Sequence, residues 1–283
     1  MTTMPRKSMQ RTWQPDFFAW DGEPPSPYSQ SDYELHHADC METYAKMDDE
    51  SVDMLLTDPP YGTTRNGWDT KKFREMLDQT WRQWIRIVKP HGAIVVMAAS
   101  PFDKIMAVSN LGIYRYEWIW NKNKATGHLN SRRLPMKAHE NILVFYRKPP
   151  TYHPQRTLGH APSNAVNPAL VPEPEELRNY GHHHCLGNPG GNTQRHPRTI
   201  INIPVVNNDS EEKWHPTQKP VKLMEFLIRT YTNPGQLIFD PYMGSGSTGI
   251  AALRCGRRFI GIEDNEEYFH QTTLRFKPQR LMV

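Results

Sequence analysis

An acid, two prolines, an aromatic residue and a glycine follow an apolar run in the sequence LLTDPPYG, at residues 55–62. The exocyclic amines of adenine and cytosine are poor nucleophiles, because the nitrogen lone pair is delocalised into the ring. Asp58 and the carbonyl oxygen of Pro59 could accept hydrogen bonds from such an amine and direct its lone pair at an electrophile. The proline rings fix the backbone, and Pro60 has no N–H to compete for that carbonyl. Tyr61 would stack against a base extruded from a duplex.

A second candidate for chemistry is the glycine-rich sequence DPYMGSGSTG at residues 240–249. Gly244, Gly246 and Gly249 match the G-x-G-x-x-G pattern, between a predicted strand and a predicted helix. In that context the pattern indicates a loop that binds a nucleoside-containing cofactor. Glu263 ends the next predicted strand, about where an acid meets the ribose hydroxyls of such a cofactor.

The glycine pattern alone leaves the cofactor open, because it suits NAD nearly as well as S-adenosylmethionine. Asp240 favours S-adenosylmethionine, since a carboxylate aimed into the loop would repel a pyrophosphate but attract an amino or sulfonium group. A tight turn that binds nothing is the simpler alternative here, as an ordinary strand end is for Asp-Pro-Pro. The two motifs support each other, because both would lie at the edge of a parallel sheet where ligands bind.

Composition narrows the class of protein. The chain has 283 residues, of which 37% are hydrophobic and 25 are proline, so we expect one substantial core with long surface segments. The formal net charge of +4 mildly favours a polyanionic partner. Three widely spaced cysteines (Cys40, Cys185 and Cys255) suit a reducing cytosol. We see neither a signal-peptide core nor an apolar run near the ~18 residues of a membrane span, which predicts a cytoplasmic protein without membrane contact.

Apolar runs alternate with helical patterns along most of the chain, which predicts a largely parallel α/β sheet. The predicted strands cover 33–39, 52–58, 93–99, 114–122, 140–148, 236–240 and 257–263. The predicted helices cover 73–89, 101–112, 219–232 and 247–256, with a short helix or turn over 41–51.

Two segments lack this periodicity. Residues 1–30 are rich in proline and polar residues and predict a flexible N-terminal arm. Residues 149–213 are crowded with Pro, Gly, Asn and His, and predict a separate lobe inserted into the main domain. The main domain would then comprise residues 31–148 and 214–283.

Four motifs together resemble those of the amino-methylating DNA methyltransferases that depend on S-adenosylmethionine. They are DPPY at 58–61, HPTQKP at 215–220, DPYMGSGST at 240–248 and RRFIGIEDNEEYF at 257–269. The catalytic motif precedes the cofactor motif, which is the β order of this family. The resemblance covers about 31–148 and 214–276, with two departures: DPYMGSGST replaces the usual DPFxGSGTT, and Ala38-Asp39 replaces Gly-Asp.

The resemblance implies a class I methyltransferase fold. This fold is a Rossmann-like, mostly parallel sheet with an antiparallel edge hairpin and a circularly permuted motif order. It would carry the inserted segment 149–213 for target recognition. The implied catalytic residues are Asp58, Pro59, Pro60 and Tyr61. The implied cofactor-binding residues are Asp39, Cys40, Thr217, Lys219, Asp240, Pro241, Tyr242, Gly244, Ser245, Gly246 and Glu263. For Lys219, a solvated charge ahead of a helix is an equal alternative.

The absence of a suitably placed cysteine nucleophile narrows the choice of target base. Methylation at cytosine C5 needs a cysteine nucleophile, usually beside a proline, and none of the three cysteines has that setting. The resemblance favours adenine N6 over cytosine N4, because an acid in the first position of DPPY is typical of the adenine enzymes. Methylation of RNA or a protein amide, a nucleotide-binding oxidoreductase and a catalytically silent DNA-binding protein are the remaining alternatives.

A basic segment predicts contact with double-stranded DNA. Residues 115–156 hold nine Lys or Arg against two Glu, interleaved with aromatic residues. The candidate phosphate contacts are Lys122, Lys124, Arg132 and Arg133, and a solvated face is the alternative.

Further expectations concern metals and partners. The sequence GHHHC at 181–185 matches no common zinc spacing and predicts a polar loop without metal. Dimers and restriction–modification systems occur among such enzymes, so a homodimer and a partner endonuclease are open. No endonuclease or helicase segment is visible in this chain.

Overall fold

The computed structural model describes residues 29–62, 72–165, 190–207, 214 and 218–276. These residues fall into two compact units. Of the described residues, those within 29–155 and 198–276 form the larger unit, and 156–165 and 190–197 form the smaller unit. In the smaller unit, Thr157 and Arg195 form an isolated antiparallel bridge. No helix among the described residues is both long and apolar enough to cross a membrane.

One sheet organises the larger unit, with eight strands among the described residues. The strands are β1 (Tyr33–His37), β2 (Val52–Thr57), β3 (Val88–Ala98), β4 (Tyr114–Thr126), β5 (Lys137–Phe145), β6 (Ile200–Asn202), β7 (Leu237–Asp240) and β8 (Arg258–Glu263). Their order across the sheet is β1-β8-β7-β2-β3-β5-β4-β6. Neighbours from β1 to β3 run parallel, β5 is antiparallel to both β3 and β4, and β6 is parallel to β4. The predicted mostly parallel sheet with an antiparallel hairpin is therefore confirmed.

Seven α-helices connect and cover these strands in the described part of the chain. They are α1 (Cys40–Tyr44), α2 (Lys72–Glu75), α3 (Leu77–Ile87), α4 (Phe102–Ser109), α5 (Val221–Tyr231), α6 (Ser247–Arg254) and α7 (Glu266–Phe276). Every residue of β2 is buried, as expected for a central parallel strand covered on both faces. On one face α3 packs Leu77, Trp81 and Trp84, whose spacing places them on one side of the helix.

The helix predicted over 73–89 is divided in the structure. It breaks at Met76 between α2 and α3, and Val88 already begins β3. The pairing of β3 with β2 shifts between Val88 and Ala93, so the predicted stop at 90–92 is an irregularity within a strand. Gly92 is required there, because an added Cβ would lie 2.6 Å from the Val88 side chain. The irregular pairing also explains why β3 tolerates Pro90, which has no N–H to donate to a neighbouring strand.

Two elements were missing from the sequence prediction. Strand β6 lies inside the segment predicted as a separate lobe, yet it extends the main sheet beyond β4. The boundaries of the smaller unit accordingly differ from the predicted 149–213, because residues 198–207 belong with the sheet. Helix α7 follows β8 and packs Phe276 against Tyr33 and Phe259. The predicted arm at 1–30 lies almost entirely outside the described residues.

Candidate active site

The two candidate loops leave neighbouring parallel strands at the same edge of the sheet. DPPY follows β2 and the glycine-rich loop follows β7, and these strands pair with each other. From this point the chain continues to β3 on one side and to β8 on the other, so the loops flank a topological switch point. A hydrogen bond of 2.8 Å from Thr57 Oγ1 to Asp240 Oδ1 joins the two strand ends.

A cavity of about 880 Å³ opens at this edge. It brings together most of the predicted site residues: Asp39, Cys40, Asp58, Pro59, Pro60, Tyr61, Lys122, Lys124, Lys219, Asp240, Pro241, Tyr242, Gly244, Ser245 and Glu263. Gly246, Arg132 and Arg133 do not line it. Thr217 lies outside the described residues, as do Cys185 and the whole of the GHHHC sequence.

The DPPY loop holds its acid and its aromatic ring in fixed positions. The Tyr61 hydroxyl donates to Asp58 Oδ1 at 2.6 Å, and the Lys219 ammonium donates to Asp58 Oδ2. One face of the Tyr61 ring stacks on Phe102, with centroids 4.9 Å apart and planes inclined by 17°. Pro59 is buried, whereas Asp58 remains 26% exposed on the cavity side. The carboxylate is thus anchored through both oxygens and still accessible, since each oxygen has a second lone pair.

Behind Asp58 lies a group of buried charges that the sequence did not reveal. Lys219 Nζ lies 3.5 Å from Glu140 Oε2, and Lys122 Nζ donates to Glu140 Oε1 at 3.0 Å. Glu140 Oε2 has no hydrogen bond to the described residues, so its contact with Lys219 is an ion pair at the limit of hydrogen-bonding distance. Lys219 is only 11% exposed, which excludes the alternative of a solvated charge.

The pKa values of this group follow from its alternating charges. Burial by itself would lower the pKa of Lys219, but the carboxylates of Asp58 and Glu140 outweigh burial and raise it. Burial would likewise raise the pKa of Glu140, but the Lys219 and Lys122 ammonium groups outweigh it and lower that pKa. Both groups are therefore charged at neutral pH.

The glycine-rich loop turns through backbone conformations that favour glycine. Gly244 has φ of +49° and Gly246 has φ of +72°. An added Cβ at Gly246 would lie 2.6 Å from Phe276 and 2.7 Å from Thr272, so α7 packs directly on the loop. Helix α7 also holds the loop by hydrogen bonds, from Thr272 Oγ1 to the Gly244 carbonyl and from Arg275 Nη1 to the Ser245 carbonyl at 2.6 Å.

Two acids lie at or just after the ends of β8 and β1, the strands beyond this loop in the sheet. Glu263, at the end of β8, accepts the N–H of Gly244 at 2.9 Å and the N–H of Asn265 at 3.1 Å. Burial raises the pKa of Glu263 to about 7, more than these two N–H groups lower it. Asp39, two residues after β1, accepts the N–H of Met41 at 2.8 Å and caps α1.

Two further predicted residues make contacts within the protein. Cys40 Sγ lies 3.2 Å from the Tyr242 hydroxyl, and burial raises the pKa of the thiol. Asp240 accepts the Thr57 hydroxyl and also the Tyr242 N–H at 3.1 Å. Burial raises the pKa of Asp240 to about 6. Its carboxylate therefore joins strand ends as well as lining the cavity.

The basic residues predicted to contact DNA divide into two groups. Lys122 is largely buried in the cavity wall and paired with Glu140, and its role as a phosphate contact stays a prediction. Lys124, Arg132 and Arg133 are exposed on the hairpin of β4 and β5, and Lys124 donates to Asn207 Oδ1 at 2.9 Å.

The site also contains residues that sequence reasoning missed. Glu140 was counted only as one of two acids in a basic segment, because nothing in the sequence shows that it faces Lys219. Thr272 and Arg275 were not predicted as site residues, because no helix was predicted over the residues of α7. A signal for that helix was present: Asn265 caps it by accepting the Tyr268 N–H at 3.0 Å, and two glutamates fill its first turn.

Among the described residues, no three His, Cys, Asp or Glu side chains lie close enough together to hold a metal ion. The site is thus built from a carboxylate–proline–aromatic loop and a glycine-rich loop on one sheet edge. The sequence profile of the N6/N4 methyltransferase family, described as DNA methylase, matches residues 52–274. The chain belongs to this family of DNA methylases, which confirms the predicted resemblance.

Individual relatives agree with this assignment. The chain is 27% identical over 259 residues to the type II methyltransferase M.HpaI of Haemophilus parainfluenzae, covering 86% of this chain and 74% of the relative. It is 28% identical over 245 residues to the DNA adenine methyltransferase YhdJ of Escherichia coli K12, covering 82% of this chain and 78% of the relative. The solved complex of M1.HpyAVI with SAM is similar with a TM-score of 0.59 and 25% identity, covering 87% of this chain and 99% of that one. The fold is the predicted class I methyltransferase fold with permuted motif order.

Proposed function

We propose that this protein transfers a methyl group from S-adenosylmethionine to the N6 amine of an adenine in double-stranded DNA. The observation that carries the proposal is the shared cavity, which is lined by the DPPY loop on one side and the glycine-rich loop on the other. Family membership supports the reaction class, and similarity to YhdJ, named as a DNA adenine methyltransferase, supports the base.

The residues present fit S-adenosylmethionine. An added Cβ at Gly244 would meet nothing within 4 Å, so at this position the backbone borders open cavity space. Glu263 offers a carboxylate to ribose hydroxyls, and Asp39 and Cys40 would lie near the adenine. Tyr242, Ser245 and Pro241 would complete the wall of the site. When bound, the cofactor supplies an electrophilic methyl group.

The chain's own residues would prepare the target amine. Asp58 and the Pro59 carbonyl would accept the two N–H groups of the amine, so that the nitrogen becomes more tetrahedral and its lone pair becomes available. Pro60 keeps that loop rigid. The Tyr61 ring, supported by Phe102 on one face, would stack against a flipped adenine. Asp58 is also the acceptor for the proton that the methylated amine must lose.

Contact with DNA is assigned to the exposed part of the β4–β5 hairpin. Lys124, Arg132 and Arg133 would bind phosphates beside the cavity, and no acid occurs between residues 118 and 139. Residues 149–213 remain the candidate for target recognition, although β6 within them is part of the sheet. A cytoplasmic location, a homodimer and a place in a restriction–modification system stay predictions, and sedimentation velocity would test the dimer.

The test is methylation itself. Incubated with S-adenosylmethionine and double-stranded DNA of diverse sequence, the protein should yield N6-methyladenine at one sequence context, as read by sequencing and nucleoside analysis. N4-methylcytosine would replace the adenine assignment, and transfer to RNA or protein alone would overturn the proposal.

The role of Asp58 has its own test. Asp58→Ala should lower methyl transfer by roughly 10²- to 10⁴-fold, because the amine loses its acceptor, while cofactor affinity stays within a few-fold. Asp48→Ala, which removes an exposed acid, is the matched control and should be fully active. An active Asp58→Ala protein would exclude the assigned role.

A further inference from the structure

A row of four alternating charges runs from the cavity into the protein. In order they are Asp58, Lys219, Glu140 and Lys122, and each contacts the next. The side chain of Glu140 is 16% exposed and that of Lys122 is 6% exposed. Burying ions costs free energy that their pairing has to offset, so a row of this length is not expected from packing alone.

The row is assembled from four separate parts of the chain, of which Asp58 follows β2. Lys122 lies on β4, Glu140 on β5, and Lys219 immediately precedes α5. Glu140 is the strand partner of Trp120, which places Lys122 diagonally across the ladder on the same face. The sheet therefore fixes the position of the Glu140 carboxylate, and Glu140 in turn fixes the position of the Lys219 ammonium.

We propose that Glu140 is a positioning residue for methyl transfer, acting on Asp58 through Lys219. Glu140 shares the Lys219 ammonium with Asp58 and so sets both the orientation of the Asp58 carboxylate and its strength as an acceptor. Without the Glu140 charge, Lys219 would pair with Asp58 alone. Its ammonium group would then compete more strongly with the target amine for the lone pairs of the Asp58 carboxylate. This inference rests on the proposed role of Asp58.

A second explanation for Glu140 makes a different prediction. Glu140 could serve only to neutralise Lys122, a cation that would otherwise be buried without an acidic partner. In that case any harm from losing the Glu140 charge would disappear once the charge of Lys122 is removed as well. If Glu140 acts through Lys219, removing Lys122 would not restore activity.

The first variant is Glu140→Gln, which keeps the size of the side chain and removes its charge. We expect single-turnover methyl transfer to fall 10- to 100-fold, while the Kd for S-adenosylmethionine and the Kd for DNA each change less than twofold. A purely structural defect would move the binding constants together with the rate. A wild-type rate in this variant would overturn the proposal.

The second variant is Lys122→Gln combined with Glu140→Gln, which leaves no unpaired charge at these two positions and keeps the question testable if the single variant does not fold. We expect its rate to stay at least tenfold below that of the wild type. A rate restored to within twofold of the wild type would overturn the proposal and leave Glu140 as the partner of Lys122 only.

Asp58→Ala separates this inference from the function on which it rests. If Asp58→Ala is active, the proposed role of Asp58 fails, and the inference fails with it. If Asp58→Ala is inactive while Glu140→Gln is normal, only the inference about Glu140 fails.

Discussion

At the scale of single residues, the site depends on carboxylates whose surroundings differ. Asp58 is accessible and held by a hydroxyl and an ammonium group, so it is suited to accept hydrogen bonds. Glu263 is more enclosed, and burial raises its pKa to about 7. Asp58 follows β2 and Glu263 ends β8, and both line one cavity. Their environments suit the proposed roles, an acceptor for the amine and a ligand for the ribose respectively.

The proposed contact of Glu263 with the ribose, together with its pKa of about 7, predicts that cofactor binding depends on pH. Only the ionised carboxylate accepts both ribose hydroxyls, and with a pKa of about 7 the group is mostly protonated at pH 6 and mostly ionised at pH 8. The affinity for S-adenosylmethionine should therefore rise with pH, by up to about tenfold between pH 6 and pH 8. Calorimetric titration across this range would measure it.

Glu263→Gln is the control for that titration. This variant should bind the cofactor weakly at every pH and lose the rise centred near 7. If Asp240 controlled binding instead, the midpoint of the pH profile would lie near 6, because burial raises the pKa of Asp240 to about 6. The midpoint therefore identifies which acid controls cofactor binding. A flat profile for the unaltered protein would exclude Glu263 as the acidic ligand.

Sequence reasoning reached single residues unevenly, for physical reasons. Asp58, Glu263 and the glycine loop could be predicted to lie together, because each is at the end of a strand whose apolar run is readable, and the structure places them at one cavity. Glu140 was not found, because its partner Lys219 is distant in sequence and their meeting depends on where β5 and α5 pack. The pairing of Lys122 with Glu140 was missed for the same reason: the charge of Lys122 is evident in the sequence, but its burial is not.

At the scale of elements, α7 supports the glycine-rich loop. It packs Thr272 and Phe276 on Gly246, and Arg275 Nη1 donates to the Ser245 carbonyl of the same loop. Its polar first turn and sparse apolar residues gave a weak helical pattern, which explains why the sequence prediction ended at β8. The four-residue strand β7 was easier to predict, because LIFD is wholly apolar before its acid and is bounded by turn residues.

The packing of α7 on the loop can be measured with a matched pair of glycines. Gly246 and Gly256 have nearly equal positive φ values, +72° and +69°, so alanine strains both backbones alike. Only at Gly246 would the new methyl group collide with α7, since a Cβ at Gly256 meets nothing within 4 Å. Gly246→Ala should therefore destabilise the fold by about 1–3 kcal/mol more than Gly256→Ala.

Urea unfolding would measure the difference in the free energy of unfolding between these two variants. We also expect Gly246→Ala to weaken binding of S-adenosylmethionine, because the loop must shift, whereas Gly256→Ala should bind normally. Equal losses of stability in the two variants would mean that α7 adjusts freely and does not fix the loop.

At the scale of the whole molecule, charge is distributed unevenly around the catalytic edge. The chain carries a formal net charge of +4, yet residues 115–156 alone hold nine Lys or Arg against two Glu, so the remainder is slightly acidic. Lys124 and Lys137 lie on the hairpin strands and line the cavity, and Arg132 and Arg133 lie in the turn that joins these strands. A polyanion would therefore be attracted to the side on which the target base has to enter.

This distribution predicts how DNA binding depends on salt. Each phosphate contact releases counterions, and removing one contact lowers the slope of log K against log salt concentration by about 1. Replacing both Arg132 and Arg133 by glutamine should thus lower the slope by about 2 and weaken binding to all DNA sequences alike. Arg258→Gln removes an exposed charge at the start of β8, the strand end opposite the cavity, and should leave the slope unchanged. Fluorescence anisotropy at several salt concentrations would distinguish them, and equal slopes in the two variants would mean that DNA approaches by another surface.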